Sequence, residues 1–323
     1  MKHTRPAHRF VTANARRTEK AGAGRWFSRR KHHVAAAYFF LLPGLLLYLV
    51  FNIYPLAKAL QMSFFDWNIM PGQASEFLGL GNYVRAWNDD VARIALRNTV
   101  LYTVITVPSQ MVLALGAALL LNAIARGKVF FRTIYYLPVV TSWVIVSLLF
   151  KYLFQSPNGL VNHMLVNVLH LASSPIPWLR EATTAMVPIW ALGIWKGIGW
   201  SMVIFLAALQ TIPTDLYEQA AIDGASAWRR LRHITLPLLR PTLVFILVML
   251  MIGGFNVFIS VLLITNGGPL QRTEVALSYM YHQAFDYLDF GYAAALSFIL
   301  ALIIVTASLL QLKYLREPEA LGQ

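Results

Sequence analysis

Six runs of apolar residues, at about 36–57, 99–121, 133–154, 186–208, 242–264 and 291–312, divide the chain into long hydrophobic stretches separated by short polar ones. Each run reaches the roughly 20 residues that an α-helix needs to cross a hydrocarbon core about 30 Å thick. A lone span can satisfy its backbone polar groups in lipid only by coiling into a helix. A membrane β-barrel would show short alternating segments, and none is visible. The pattern therefore predicts an all-α integral membrane protein with six transmembrane helices.

Composition agrees. The chain is 58% hydrophobic and only 13% charged, with a mean hydropathy of +0.57, which excludes an ordinary water-soluble fold. The net charge of +13 could suggest a nucleic-acid partner, but its distribution points to topology instead. With the N-terminus inside, the stretches 1–33, 122–132, 211–240 and 313–323 hold most of the 27 Lys and Arg. That asymmetry predicts an N-in, C-in orientation. The basic stretch 1–33 reads as a cytoplasmic tail that meets anionic lipid through Arg29, Arg30 and Lys31. The absence of cysteine excludes disulfides, thiol catalysis and zinc–thiolate sites.

Between the spans, 64–98 interleaves aromatic and charged residues in "FLGLGNYVRAW" and "RIALRNT", predicting an amphipathic helix on the outer interface. The stretch "NAIARGKVFFR" is a short basic turn, and the loop 155–181 is rich in turn residues. No internal repeat of the kind found in many secondary transporters is visible.

One polar stretch is patterned far more densely than a loop requires: "EQAAIDGASAWRRLRHITLPLLRP", Glu218 to Pro241. Pro213, Thr214 and Asp215 form a helix-start signature, with Glu218 placed as in a capping box. Ala220, Ala221 and Ala225 are small, and Gly224 allows a turn or a close approach. Trp228, Leu231 and Ile234 share one face of a second helical piece, for which Asp223 is a candidate cap, and Pro237 and Pro241 close it. The result is a helix–turn–helix knob suited to a groove on a soluble partner. The plainer alternative is a basic loop that merely obeys the positive-inside rule.

The knob resembles the coupling loop of binding-protein-dependent ABC importers, whose pattern is Glu-Ala-Ala, two residues, Asp-Gly-Ala, then Ile-x-Leu-Pro. Glu218, Ala220, Asp223, Gly224, Ala225, Ile234, Leu236, Pro237 and Pro241 match it. Gln219 departs from it, and Leu231 stands where Phe is common. "LGLGNYVRAW", "FRTIYYLPVVTSWVIVSLLFKYLFQSPNGLVN" and "TNGGPLQRTEVALSYMYHQAFDYLDFGYAAALS" extend the likeness to the maltose-type carbohydrate importer permeases over roughly 34–313. The resemblance implies the type I ABC importer permease fold in a prokaryotic plasma (inner) membrane. A first transmembrane helix would occupy 34–63 and an outer amphipathic segment 64–98. A permease core of helices 2–6 would fill 99–313, with the coupling loop at 213–241, and 314–323 would be a cytoplasmic tail.

It further implies a heterodimer with a second permease, two ATPase subunits and an extracytoplasmic sugar-binding protein. The ATPases would use ATP and Mg; this chain, which has no phosphate-binding G-x-x-x-x-G-K-[ST] loop, would bind no cofactor and catalyse nothing. Glu218, Ala220, Ala221, Asp223, Gly224, Ala225, Trp228, Leu231, Ile234 and Pro237 become the expected ATPase-coupling residues.

Candidates for the substrate path are polar or small residues near the middle of spans. Lys196 and Gly197 sit there in the fourth run, and Gly253, Gly254 and Asn256 in the fifth. Gln110, with Ser109, lies in the second. A lysine at that depth costs about 2.5–3.5 kcal/mol on insertion scales, so it faces a cavity, pairs with a partner carboxylate or snorkels. The glycine pair fits helix packing or substrate contact. Asn256 suits a sugar hydroxyl because an amide both donates and accepts. Trp195 and Trp200 could stack on a sugar or anchor the helix. The histidines lack metal-ligand spacing, and no metal site is expected. Asp286 and Asp289 read as loop carboxylates that face solvent or the binding protein. Glycerol-phosphate or another polyol is the alternative substrate, with Lys196 as anion partner. A secondary transporter is the more distant alternative, and the acids it would need inside the spans are missing.

Overall fold

The computed structural model describes residues 38–69, 74–123 and 126–315. The basic tail 1–33 and residues 316–323 lie outside the described residues. Two compact units divide at Gln61/Met62. Of the first, the described part is 38–61, all within the helix α1, Tyr38–Met62, with a widened π-type turn at Leu49–Ile53. Its 18-residue apolar window has no buried residue, and Phe40 is 81% exposed. A helix apolar all round and unburied suits lipid as its solvent.

The second unit begins with a two-stranded antiparallel ribbon, β1 (Phe65–Asp66) and β2 (Glu76–Phe77). Helix α2 (Gly81–Asn88) follows, then α3 (Asp90–Ala123), α4 (Lys128–Val140) and α5 (Trp143–Leu153). After a short helix α6 (Leu160–His163) come α7 (Val187–Leu209), α8 (Thr214–Ile222) and α9 (Ala227–Leu238). Last are α10 (Arg240–Phe255), α11 (Ile259–Ile264), α12 (Ala276–Tyr281) and α13 (Phe290–Leu315).

Among the described residues four helices, α1, α3, α7 and α13, are long and apolar enough to cross a membrane. Two bent pairs, α4 with α5 and α9 with α10, raise the number to six if each counts as one span. The core forms where α3 and α7 lie side by side. Ala114, Ala117 and Ala118 of α3 face Met202, Phe205 and Leu206 of α7, and Ile246 of α10 closes the cluster. Small residues on one helix let the large ones of its neighbour approach closely, which is how helices pack without water to drive them together.

Several expectations need correction. The stretch 64–98 is not one amphipathic helix, since it contains the ribbon and α2, and "RIALRNT" already belongs to α3. Asp89, whose carboxylate accepts the N–H groups of Val91 (2.8 Å) and Ala92 (3.2 Å), fixes the start of α3. The run 133–154 is not one straight span: α4 and α5 meet at 93° across Thr141 and Ser142, which both adopt extended conformations. The run 242–264 breaks after Phe255, where Gly253 and Gly254 weaken the helix. There the Asn256 amide donates to the Ile252 carbonyl oxygen at 2.8 Å. Apolar runs do not reveal such breaks, because both halves of a broken helix remain apolar.

Candidate functional site

A cavity of about 290 Å³ opens between α3, the α4–α5 elbow, α7 and α10. Five of the six path candidates line it: Gln110, Lys196, Gly197, Gly253 and Gly254, with Tyr102, Val139, Trp143 and Trp200 among their neighbours. Asn256 is not among the lining residues, and its amide is bonded back to its own helix. Ser109 likewise donates to the Ile105 carbonyl oxygen at 2.7 Å. Of the two tryptophans, Trp200 lines the cavity, whereas Trp195 is exposed and lies against Phe150 with ring centroids 5.8 Å apart.

Geometry also separates the glycine pair. A β-carbon on Gly254 would come within 3.1 Å of the Thr103 methyl group, so this residue seats α10 against α3. Nothing lies within 4 Å of where a β-carbon of Gly253 would stand, so that position faces open space. Gly197 is pressed by the Gln110 carboxamide, which donates to the Gly193 carbonyl oxygen at 3.2 Å.

Lys196 is buried, 5% exposed. Its ammonium donates to the carbonyl oxygens of Pro138 (2.6 Å), Thr141 (2.7 Å) and Val139 (3.4 Å), and lies 4.9 Å from the Trp143 ring centroid. Those carbonyls lost their helical partners at the elbow. A cation at the carbonyl end of α4 also meets the negative pole of the helix dipole. Trp143, which the sequence reading missed, takes part in both the cavity and this cage.

The knob is built as a helical hairpin. Helix α8 ends with two backbone bonds, Ala225 N–H to Ala220 O (2.8 Å) and Gly224 N–H to Ala221 O (3.1 Å). Gly224 has φ +72°, the left-handed conformation that favours glycine in this motif. Two local expectations fail: Pro213 precedes α8 without a side-chain cap, so no capping box forms. Ser226, not Asp223, caps the second helix, its hydroxyl oxygen accepting the Arg229 N–H at 3.4 Å. Tyr217 and Thr235 share a 2.9 Å hydrogen bond between the two arms. The prolines do not end α9 abruptly: Pro237 stays within it, and α10 departs at 69°.

Of the expected coupling residues, Glu218, Ala221, Asp223, Gly224, Trp228 and Pro237 are exposed. Ala220, Ala225, Leu231 and Ile234 are half-buried. Ile222, which the sequence reading passed over, stands 86% exposed at the end of α8, and Trp228 of α9 is 66% exposed.

A third polar region lies between the ends of α2, α3, α12 and α13. Asp89 accepts from the hydroxyls of Tyr279 (2.5 Å) and Tyr292 (2.7 Å), and Arg85 pairs with Asp289 at 2.6 Å. Burial works against the Asp89 charge, but the bonds from Tyr279, Tyr292 and the two backbone N–H groups outweigh it and hold its pKa below the ordinary 3.8. Nearby, the buried Glu274 accepts from the Ser278 hydroxyl and lies 3.5 Å from His282, whose other nitrogen is 2.5 Å from Asp286. Burial foremost, with Asp286 adding, pushes the Glu274 carboxyl above its ordinary value, while Ser278 and His282 pull it back in part. Asp286 and Asp289 are thus engaged within the chain: Asp286 with a histidine four residues before it, and Asp289 with an arginine 204 positions away, which spacing in sequence could not indicate.

Residues 112–315 match the family described as the binding-protein-dependent transport system inner membrane component. The chain belongs to that family. The permease is 36% identical over 294 residues to the lactose transport system permease protein LacF of Rhizobium radiobacter, covering 90% of this chain and 97% of that one. It is 36% identical over 282 residues to the arabinooligosaccharides transport system permease protein AraP of Bacillus subtilis (strain 168), covering 86% and 88%. Among solved structures, the bacterial alginate ABC transporter in complex with alginate pentasaccharide-bound periplasmic protein contains a chain 25% identical to the permease. The two align with a TM-score of 0.76 over 90% of this chain and 96% of that one. The six-span reading thus meets an ABC importer permease fold in a multi-pass inner-membrane protein.

Proposed function

We propose that this permease is one transmembrane subunit of an ATP-driven sugar importer, forming half of the translocation path. The carrying observation is the cavity between α3, the elbow, α7 and α10. It presents the aromatic rings of Trp143 and Trp200 and the Gln110 amide, with Lys196 as the charged residue of its lining. Aromatic faces and amides suit a neutral, hydroxyl-rich solute. The three ammonium protons of Lys196 meet three carbonyl oxygens, leaving none for a phosphate. That engagement weighs against glycerol-phosphate or another anionic polyol as substrate. The lactose and arabinooligosaccharide permeases among its relatives support the same choice.

The α8–α9 knob is read as the coupling element. Its exposed Ile222 and Trp228 flank the left-handed turn at Gly224, a shape suited to a groove on a separate ATPase. That ATPase would supply all catalysis with ATP and Mg, while the permease itself catalyses nothing. The knob lies on the basic, inward side in the N-in, C-in orientation expected from the charge distribution. A second permease subunit would complete the path, and an extracytoplasmic sugar-binding protein would deliver the solute.

Reconstituted vesicles carrying the full complex decide between these substrates. Uptake of a labelled neutral disaccharide with none of glycerol 3-phosphate is expected. The reverse preference would overturn the sugar reading. A pull-down from mild detergent should recover a soluble ATPase and a second permease, and should lose the ATPase when residues 216–236 are deleted. Recovery of the intact chain alone would favour a self-sufficient transporter.

A further inference from the structure

The α4–α5 elbow needs an explanation of its own. Two consecutive extended residues, Thr141 and Ser142, interrupt a stretch that is otherwise helical and apolar. In lipid or in a lipid-facing bundle, each carbonyl released by such a break must find another donor. The Pro138 carbonyl accepts from the Thr141 hydroxyl at 2.6 Å and from Lys196 at 2.6 Å. The Val139 and Thr141 carbonyls accept from the same ammonium. One side chain from α7 therefore supplies donors to three backbone groups, two at the end of α4 and one in the bend itself.

The same face of α7 carries Gly199, one helical step beyond Lys196. Its missing side chain lets α7 press directly on the Tyr135 carbonyl of α4. Lys196 and Gly199 are three residues apart and so lie on one side of α7. Together they fix α4 by contact and the bend by charge. Val139 and Trp143, on opposite sides of the bend, are both cavity wall. A change in the bend must move one relative to the other.

We infer that Lys196 is a positioning residue: its ammonium clamps the α4–α5 elbow and so sets the wall of the cavity, rather than contacting the transported solute. The transport half of this inference rests on the proposed path; the clamp itself does not.

The chain contains no cysteine, so Val139→Cys introduces a single thiol on the cavity wall. Its labelling rate by a water-soluble maleimide, in membranes containing the full complex, reports the elbow. Uptake is measured separately in the cysteine-free chain. With Lys196→Met, which keeps the length and removes the donors, the labelling rate should change by at least about threefold. Uptake should lose about tenfold in maximal rate with its KM unchanged, as expected when buried carbonyls are left without partners. Lys196→Arg, which keeps charge and donors, should recover at least half of both. Parent labelling and parent uptake in Lys196→Met would overturn the inference. A shifted labelling rate with parent uptake would keep the clamp and sink the path reading. Should Lys196→Met not reach the membrane, Lys196→Gln, with two donors for three carbonyls, carries the test. A shift at residue 139 of at least about threefold in the assembled protein supports the clamp, and a parent rate overturns it.

Discussion

The carbonyl oxygen of Tyr135 lies where a β-carbon on residue 199 would have to stand, and glycine at 199 is what lets α7 rest on the backbone of α4. A backbone atom cannot swing aside as a flexible side chain can. Gly199→Ala must therefore separate the two helices, at an overpacking cost of about 1–3 kcal/mol. The detergent-purified protein should melt several degrees below the parent. An unchanged melting temperature would mean that α4 yields freely there.

Gly253 offers the opposite case, because nothing lies within 4 Å of its missing side chain. Gly253→Ala should melt at or above the parent, since alanine favours a helix over glycine by about 1 kcal/mol. If the cavity is the path, uptake should nevertheless fall. A stable variant with parent uptake would remove residue 253 from the path.

The Asp89 carboxylate is held ionised by four donors. Its depressed pKa contributes stability above the ordinary value of 3.8, and that contribution is lost as pH falls through the depressed folded value. Asp89→Asn should melt below the parent at pH 7, with the gap closing as the medium is taken well below pH 3.8. A gap independent of pH would show that shape, not charge, is at stake.

Glu274 behaves in the opposite sense. Its raised pKa means that the fold favours the neutral carboxyl, an advantage present below the ordinary 4.5 and lost as pH rises through the raised folded value. Glu274→Gln, neutral throughout, should match the parent at acid pH and melt above it at pH 8. A parallel loss of stability in both proteins on going from pH 5 to 8 would count against this reading.

On the knob, Ile222 is nearly bare in the isolated chain. Replacing a central, well-packed interface anchor costs about 2 kcal/mol or more. Ile222→Ser should therefore weaken recovery of the ATPase by roughly thirtyfold while leaving the chain's own melting temperature unchanged. Gly224→Asp, at φ +72°, should assemble poorly or hydrolyse ATP without transport. Normal uptake in both variants would remove the knob from coupling.

The sequence by itself determined the hydrophobic count, the membrane as solvent, the helical class and the knob with its glycine turn. These are local properties: an apolar run long enough to cross a bilayer has few alternatives in lipid, and turn chemistry is written in neighbouring residues. The 93° elbow, by contrast, is held by a partner distant in the chain, and the local cap of α3 is itself tied to distant tyrosines. Asp89 caps α3 while holding Tyr279 and Tyr292, and Lys196 satisfies carbonyls at the elbow more than fifty positions earlier. Sequence could mark Lys196 as costly in the middle of a span, but not say what satisfied it. Gly253 and Gly254 are neighbours with the same chemistry and both line the cavity, and only packing made Gly254 a helix contact as well. Spacing along a chain fixes which face a residue occupies within one helix; what stands opposite that face is set by the assembly of all of them.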